Sequence, residues 1–594
     1  TQPPHAAHAT VAGVYGIASL IFWALMIEVS IKYAGFIMRA HTRGDGGIMA
    51  LTALIKRRNV PRAAVLVTLG IFGAGLFFGD GMITPAISVL SAVGGLPSSL
   101  SHLVVPISLV ILIVLFALQR SGTGAVGWLF GPVILIWFVT IAILGVRQVI
   151  PHPGVLQALS PTWGAQFIVD HGVAALLTLG GVVLAVTGAE ALYADRGHFG
   201  AGPIRFTWFS IVLPSVLLSY LGQGAWILGH PHATAAKNFN PFFDIVPSGG
   251  RLPMVVLATA ATIIASQAAI TGSFSVARQA FQLGFLPRLT IIHTSKLEGR
   301  IYVPVINWFL CIGVVALVLG FQSSDKLGDI YGVAVTGTFI LNTILFLAVA
   351  RSLWRTPRWR LALLGALFLT VEVSFFAANL AKIGHGAYLS LIVGLVIATV
   401  MITWNRGREI VTRNRTEQEG SLPDFLESLR AAKPPIRRVP GTAVFLNPSK
   451  ATTPLALRAE VNHGHALHER VLVVSLDSVS IPQVDPGDRF AVETLGQGLW
   501  KVTHVTIRVG YQDHPDIPES LALARKRGLL PRNLDLEHAS YFVSRMAIVM
   551  TDAPGMRRWR KQLFITLARN ATSPIDHFGL PGDRTVMMGS RVSV

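Results

Sequence analysis

The stretch Phe78–Ser88 reads FGDGMITPAIS and lies inside an apolar run from 64 to 92. A run of this length can cross the hydrocarbon core of a bilayer as a helix, which takes about 20 residues. The run nevertheless carries a carboxylate, Asp80, near its centre, and a charge there costs about 2.5–3.5 kcal/mol on insertion scales. The stretch therefore predicts a membrane-spanning helix in which the acid has a partner or a function.

Three oxygen-bearing side chains share one face of this predicted helix. Asp80, Thr84 and Ser88 are spaced by four residues each, so their oxygens line one strip. Pro85 has no N–H, and the carbonyl of Gly81 therefore loses its helical partner. Alkali-metal cations prefer oxygen ligands, by extension from the rules for calcium and magnesium. We interpret the strip as part of a cation or proton path; the alternative is a kinked helix whose hydroxyls bond to their own backbone.

Ten further apolar runs have a similar length and composition. The chain has 594 residues, 52% of them hydrophobic and only 13% charged, whereas a soluble protein of this size needs more charge to cover its surface. Bounded by Gly, Pro and charged residues, the predicted spans cover 13–38, 64–92, 103–119, 128–147, 172–194, 206–229, 253–280, 302–321, 327–350, 360–382 and 387–404. The region 13–404 is therefore predicted to be an all-α polytopic membrane domain.

Basic residues cluster in alternate loops between these spans. Lys and Arg follow the first, third, fifth, seventh and ninth runs, whereas the loop 94–102 has none. By the positive-inside rule the basic loops are cytoplasmic, and the loop 230–251 is external. The net charge of +19 fits this rule, and no motif indicates a nucleic-acid partner. This assignment places the segment 1–12 outside and the tail from 405 in the cytoplasm.

The tail 405–594 is polar and alternates helical with strand-like stretches, which predicts a cytoplasmic α/β domain. The predicted strands are Gly441–Leu446, Arg470–Leu476, Val502–Val509 and Tyr541–Met550. The predicted helices are Glu417–Ala431, Leu455–His468, Pro518–Arg527 and Met556–Arg569. Because the tail contains no Walker A motif, dinucleotide-binding glycine motif or zinc spacing, a regulatory or assembly role is expected rather than catalysis.

The fifth run holds a second candidate acid. Thr187 and Glu190 share a face at a spacing of three, and Gly188 marks a possible break in the helix. Broken helices expose carbonyls and dipole ends to an ion at the membrane midplane, a recurring device of secondary transporters. Glu190 is therefore a candidate proton site or a partner to a cation.

Two other acids lie in apolar runs. Glu28 precedes Lys32 by one turn, for which a structural ion pair is the simpler interpretation. Glu372 has no basic neighbour in sequence, and a hydrogen bond between helices and a position in a proton relay both remain open. In the runs 265–273 and 331–338, small and hydroxylated residues fit either close helix packing or the lining of an ion path.

Several long stretches together resemble the KUP/HAK/KT family of potassium transporters. They are GDGMITPAISVLSA (79–92), TGAEALYADRGHFG (187–200), IASQA (264–268), IIHTS (291–295), YGVAVTGT (331–338) and VPGTAV (439–444). The resemblance implies a LeuT-type fold of the amino acid–polyamine–organocation superfamily with twelve transmembrane helices. It also implies potassium import by symport with protons, a cytosolic C-terminal domain and homodimers in some members.

The residues that carry over from the family form the predicted potassium and proton path. Asp80, Thr84 and Ser88 match family residues on one helix of this path. Thr187 and Glu190 match family residues on the broken helix. Tyr331 and Thr336 carry over more weakly. The other partners expected are the lipid bilayer and an unknown regulatory ligand of the tail. No cofactor and no enzymatic activity are expected.

One departure from the family concerns its first helix, which bears a Tyr-Gly-Asp segment. Nothing before Ala12 matches that helix. Eleven predicted spans with an external N-terminus and no signal peptide agree with this, so about 11 of the family's 12 helices are expected here. The rival functions are an amino-acid or polyamine permease of the same fold, a membrane-tethered sensor with vestigial transport, and an open channel.

Overall fold

The computed structural model describes residues 10–42, 45–57, 60, 62–121, 127–232, 239–293, 301–479, 484–496, 498–509, 516–531, 534–552, 554–569, 575 and 578–594. The predicted segment 1–12, the loop 230–251 and the stretch 291–295 lie in part outside these ranges. The chain divides into two compact units. The first extends to Phe285 and resumes over Thr290–Ile402, and the second comprises Leu286–Leu289 and Thr403–Val594.

Eleven helices in the described part of the chain are long and apolar enough to cross a membrane. In chain order, as spans 1 to 11, they cover Val11–Arg39, Ala63–Val93, Ser98–Ser121, Gly127–Val149, Val173–Ala194, Ala201–Gly229, Arg251–Gln282, Pro304–Phe321, Ser324–Ser352, Arg358–Leu380 and Tyr388–Glu419. Shorter elements are the helices Ile48–Arg57, Pro161–His171, Arg196–Phe199 and Pro241–Asp244 and the strands β1 (Ile292–His293) and β2 (Ile301–Tyr302). The predicted number of spans is confirmed for the described residues.

Spans 2 and 9 occupy the interior of the first unit. In the most apolar stretch of each helix, the buried share is 78% for span 9 and 56% for span 2, whereas it is only 11% for span 4. Span 2 packs against spans 7, 8 and 9. An apolar surface left uncovered on a peripheral helix is the surface expected to face lipid. The acid of span 2 therefore lies on a helix surrounded by other helices.

Glycines bring two pairs of spans into backbone contact. A Cβ atom at Gly145 of span 4 would overlap the backbone of span 6 at Leu218, and one at Gly222 of span 6 would overlap Gly145. A Cβ at Gly75 of span 2 would likewise overlap the carbonyl of Gly394 in span 11. Small residues at helix interfaces allow this close approach in membranes.

The second unit is built on a six-stranded sheet. Its strands are β3 (Arg437–Leu446), β4 (Ala466–Ser478), β5 (Phe490–Leu495), β6 (Val502–Val509), β7 (Ser540–Val549) and β8 (Thr585–Ser593), in the order β5-β6-β4-β3-β7-β8. Only β5 runs antiparallel to its neighbour, and the other pairs are parallel. Parallel strands need long crossover connections, which helices usually supply. The helices of this unit are Leu422–Ala431, Leu455–Gly464, Ile517–Lys526 and Arg558–Arg569.

Both faces of this sheet are buried, because successive side chains of a strand point to opposite faces. In β3, Val444 packs in one hydrophobic cluster, which includes residues of the helix Ile517–Lys526. Its neighbours Ala443 and Phe445 pack in the other, with residues of Leu422–Ala431 and Leu455–Gly464. A parallel sheet covered by helices on both faces is an α/β arrangement.

Two predicted elements of the tail need correction. The predicted helix Leu455–His468 ends at Gly464, because His465 takes a left-handed conformation (φ 47°) and β4 begins at Ala466. The predicted helix Glu417–Ala431 is wrong at its start. Span 11 continues to Glu419, the chain turns at Gly420 (φ 60°), and a new helix begins at Leu422.

Candidate ion site

Span 5 is interrupted at Thr187 and Gly188. A tight turn of 3-10 helix over Val183–Val186 is followed by Thr187 in an extended conformation (φ −59°, ψ 143°) and by Gly188 at φ 81°, after which Ala189–Ala194 is helical again. A left-handed residue interrupts the ladder of backbone hydrogen bonds, and glycine adopts it without steric cost. A helix end leaves its last carbonyls without a helical partner. The break predicted at Gly188 is thus present.

Asp80 lies in the interior of span 2 and is 8% exposed. The Thr84 hydroxyl donates a hydrogen bond of 2.7 Å to Oδ1 of Asp80. The Thr84 hydroxyl therefore bonds to the carboxylate of Asp80. The alternative interpretation of the strip, in which the hydroxyl bonds to its own backbone, does not apply to Thr84. Gly81 lets span 7 approach, since a Cβ there would overlap the hydroxyl of Ser273.

Four of the predicted groups come together in the fold. Asp80 accepts a hydrogen bond from Thr84, and Glu190 and Tyr331 lie close enough to Asp80 and to each other to act electrostatically. Spans 2, 5 and 9 therefore each contribute to one cluster, which we call the Asp80 cluster (Asp80, Thr84, Glu190 and Tyr331).

The Asp80 cluster contains buried oxygens without partners. Glu190 is 3% exposed, and neither of its carboxylate oxygens has a hydrogen-bond partner among the described residues. The Tyr331 hydroxyl, on a residue that is 1% exposed, also has none within that part of the chain. Unsatisfied buried polar atoms are rare and each asks for an explanation. Two carboxylates with two hydroxyls offer the oxygen donors that a cation requires, and the carboxylates can also take a proton.

The other predicted path residues are placed differently. Thr187 is exposed at the break of span 5, and Ser88 is half-buried two turns beyond Asp80. Thr336 is fully buried and donates to the Gly332 carbonyl of its own helix at 2.7 Å. Within the described chain, these three are not among the groups that act on Asp80.

Sequence reasoning missed the partner of Glu372. Lys32 donates to Glu28 at 2.9 Å, as the spacing predicted, and it also donates to Glu372 of span 10. The Thr343 hydroxyl of span 9 donates to Glu372 at 2.6 Å. Glu372 therefore bridges helices. A lysine inside an apolar run was the visible signal, but its second partner lies 340 residues away in sequence.

In the described ranges, no group of three or more His, Cys, Asp and Glu side chains is arranged to hold a metal ion. The Asp80 cluster has only two carboxylates, and its other oxygens belong to hydroxyl groups. Such a set is suited to a weakly held monovalent cation rather than to a tightly bound transition metal, which prefers imidazole or thiolate ligands.

Two family models match the chain. The K+ potassium transporter integral membrane domain matches residues 3–409, and the K+ potassium transporter C-terminal domain matches residues 440–594. Together they cover spans 1 to 10, span 11 as far as residue 409, and the sheet of the second unit from residue 440 onward.

Curated relatives match over nearly the whole chain. A "Probable potassium transport system protein Kup" of Rhodococcus jostii (strain RHA1) is 49% identical, with 100% of this chain and 91% of the relative covered. Proteins of the same printed name from Azoarcus sp. (strain BH72) and Methylococcus capsulatus (strain ATCC 33009 / NCIMB 11132 / Bath) are 47% and 45% identical. The alignments with these two relatives cover 100% and 99% of this chain, respectively, and 92% and 94% of the relatives. The chain therefore belongs to the K+ potassium transporter family, and it is a multi-pass potassium uptake protein of the bacterial inner membrane rather than an enzyme.

Proposed function

We propose that this potassium uptake protein works as a potassium–proton symporter, by alternating access around the Asp80 cluster. The observation that carries the proposal is the Asp80 cluster itself, whose Glu190 lies two residues after the break at Gly188 and whose buried oxygens include several without partners among the described residues. Secondary transporters bind their ions near the midplane, at broken helices of this kind.

Potassium is bound, in this proposal, by oxygens from both sides of the break. Asp80 and the hydroxyls of Thr84 and Tyr331 contribute side-chain ligands. Thr187 and the carbonyls that the break leaves free contribute the rest, because carbonyl oxygens can replace the hydration shell of potassium. Ser88 and Thr336 line the ion path and do not bind the potassium ion directly at this site.

The coupling proton is carried by Glu190 or Asp80. Two carboxylates that are close together in a dry site repel each other strongly when both are ionised. A potassium ion offsets one of the two charges, and a proton on the other carboxyl removes the remaining one. The neutral loaded site then crosses between outward-open and inward-open forms at lower electrostatic cost than a site with only one of the two ions.

The fold and the partners proposed with this mechanism rest on the family resemblance. The region 13–404 is proposed to have the LeuT-type arrangement, supported here by the broken span 5. The segment 1–12 is proposed to be external and 405–594 to be a cytoplasmic regulatory domain. Homodimers and a regulatory ligand of that domain are proposed on the resemblance alone.

The test is proton-coupled flux in proteoliposomes that hold the purified full chain. An inward potassium gradient should acidify the lumen, as measured with a trapped pH dye and an ionophore to clamp the voltage. Asp80→Asn and Glu190→Gln should each reduce rubidium uptake by at least about tenfold, by analogy with the 1.5–3 kcal/mol that a hydrogen bond to a charged group contributes.

The matched control is Glu409→Gln, which removes an exposed acid and should leave uptake unchanged. Potassium flux that leaves the lumenal pH constant would sink the symport proposal in favour of an open channel. Undiminished uptake in the folded Asp80→Asn variant would remove Asp80 from the mechanism.

A further inference from the structure

A second group of charged side chains is buried outside the Asp80 cluster. Glu28 and Lys32 of span 1 and Glu372 of span 10 are all 0% exposed, and we call them the Lys32 cluster. Span 1 winds as a π-helix over Leu25–Phe36, with the Ile37 N–H bonded to the Lys32 carbonyl five residues earlier. Such windings are rare and often occur at functional sites.

The Lys32 ammonium has all of its donors used. It donates to Glu28 at 2.9 Å, to Glu372, and to the Phe339 carbonyl of span 9 at 3.4 Å. It also lies 4.7 Å from the centre of the Phe339 ring. Glu372 is held further by the Thr343 hydroxyl. The cluster therefore joins spans 1, 9 and 10 around one cation.

The two carboxylates do not have all of their oxygens used. Among the described residues, Oε1 of Glu28 and Oε2 of Glu372 have no hydrogen-bond partner, although both are buried. Each carboxylate thus accepts from Lys32 with one oxygen and leaves the other free. A protonated carboxyl places its proton on one such oxygen and still accepts with the other.

The charges of the cluster do not balance. One ammonium and two carboxylates sum to −1 when all three are ionised, and an unbalanced buried charge is expensive. The other titratable or charged groups that act on the cluster, or that bond to the adjoining backbone of span 1, are Tyr33, Glu190, Tyr193 and Arg205. Tyr193 and Arg205 donate to backbone carbonyls of span 1 or its end, at Ala40 and Ala34. Arg205 is not among the groups that act on the cluster within the described chain.

Glu190 adds to the imbalance, because it interacts with Lys32 and is itself an acid. Lys32 thus donates to two close carboxylates and also interacts with a third, that of Glu190. A single proton shared by Glu28 and Glu372 restores neutrality in the Lys32 cluster.

We propose that the Lys32 cluster is a buried proton-binding site, separate from the Asp80 cluster, that holds one proton on Glu28 or Glu372. The proton occupies one of the two oxygens without partners, and the ammonium pairs with the carboxylate that remains. Loss of the proton gives the site a charge of −1.

The proton site is linked to the Asp80 cluster through Tyr33. This residue follows Lys32, accepts a hydrogen bond from Asn342 at 3.0 Å and interacts with Glu28, Glu372 and Glu190. A deprotonated Lys32 cluster should strengthen cation binding near Glu190, and a bound cation should weaken proton binding in the cluster, because linkage is reciprocal. This second step rests on the proposed potassium site.

Infrared difference spectroscopy of the purified full chain tests the proton site without any transport. A protonated carboxyl has a C=O stretch that a carboxylate lacks. Glu28→Gln and Glu372→Gln each leave one ammonium and one carboxylate, a neutral pair that needs no proton. Both variants should therefore lose the same carboxyl signal at neutral pH. If Glu372→Gln does not fold, Glu28→Gln carries the test by the same charge argument.

The control is Asp329→Asn, which removes an acid from a one-to-one pair with Lys382 at 2.8 Å and should leave the signal intact. A signal that persists unchanged in a folded Glu28→Gln or Glu372→Gln variant would overturn the proposal, because the cluster would then be an ionised structural brace.

Rubidium uptake tests the link to the ion site. In the parent chain the apparent KM should fall by at least about fivefold from mildly acidic to mildly alkaline pH, within the usual range of coupling between two sites. Either glutamine variant should keep the higher KM throughout. Loss of the infrared signal together with an unaltered pH dependence of KM would overturn the link alone. Failure of the potassium site would show separately, as undiminished uptake in Asp80→Asn.

Discussion

At the scale of single residues, buried acids dominate the chemistry of the membrane unit. The spacing of Asp80 and Thr84 predicted that their oxygens share one face of the helix, since residues four apart on a helix are neighbours. In the fold the two side chains are joined by a hydrogen bond. The electrostatic proximity of Asp80 to Glu190 and Tyr331 depends on the packing of three spans and could not be predicted from spacing. The pairing of Glu372 with Lys32 could not be predicted for the same reason, whereas the pair of Glu28 and Lys32 was visible as a local pattern.

Asp195 gives a prediction on pH and stability. It follows span 5, and burial raises the pKa of its carboxyl to about 7, well above the usual value near 3.9. The folded chain therefore binds a proton that the unfolded chain has already released between these values. This contribution to stability is present at low pH and is lost as the pH rises through about 7.

The thermal unfolding temperature of the purified chain should accordingly contain a component that declines from about pH 5 to pH 8. Asp195→Asn should remove that component. The exposed acid Asp170 provides the control, because Asp170→Asn should retain the parent's profile. Identical pH profiles for the parent and Asp195→Asn would contradict the assignment.

At the scale of elements, length and composition made the spans predictable, because a helix must pair its own backbone groups inside a bilayer. The tail was harder. Strands β5 and β8 lie at the two edges of the sheet and were not predicted, whereas the central β3, β4, β6 and β7 were. Central parallel strands are buried on both faces and show as Val- and Ile-rich runs, but edge strands need not. The end of the helix at Gly464 depended on the left-handed His465, which no pattern indicated.

The break in span 5 gives a prediction at this scale. Gly188→Ala places a side chain at φ 81°, which costs about 1–2 kcal/mol, although its Cβ would meet no atom within 4 Å. We expect lower rubidium uptake and a modestly lower unfolding temperature. Gly181→Ala is the matched control, since Gly181 lies in the helical part of the same span and also faces open space. Uptake equal to the parent's in Gly188→Ala would show that the break does not need this conformation.

At the scale of the whole molecule, orientation in the membrane is the main prediction. The positive-inside rule places the loop at His230 outside and the basic loop at Arg355 inside. Cys311 is the chain's only cysteine and it is buried, so an introduced cysteine can be labelled against a low background. A membrane-impermeant maleimide on intact cells should label His230→Cys and should label Arg355→Cys only after lysis. Both residues are exposed in the fold, so labelling of Arg355→Cys in intact cells would reverse the assigned topology.

The contact between Gly145 and Gly222 has a mechanical consequence for the proposed cycle. Helices separated by side chains can slide, because the side chains change rotamer as the helices move. Spans 4 and 6 touch backbone to backbone and have no such layer between them. They would therefore be displaced together, as one lever. The flexible joint of the cycle must then lie elsewhere, and the left-handed turn at Gly188 is a place where the backbone is already suited to act as a hinge.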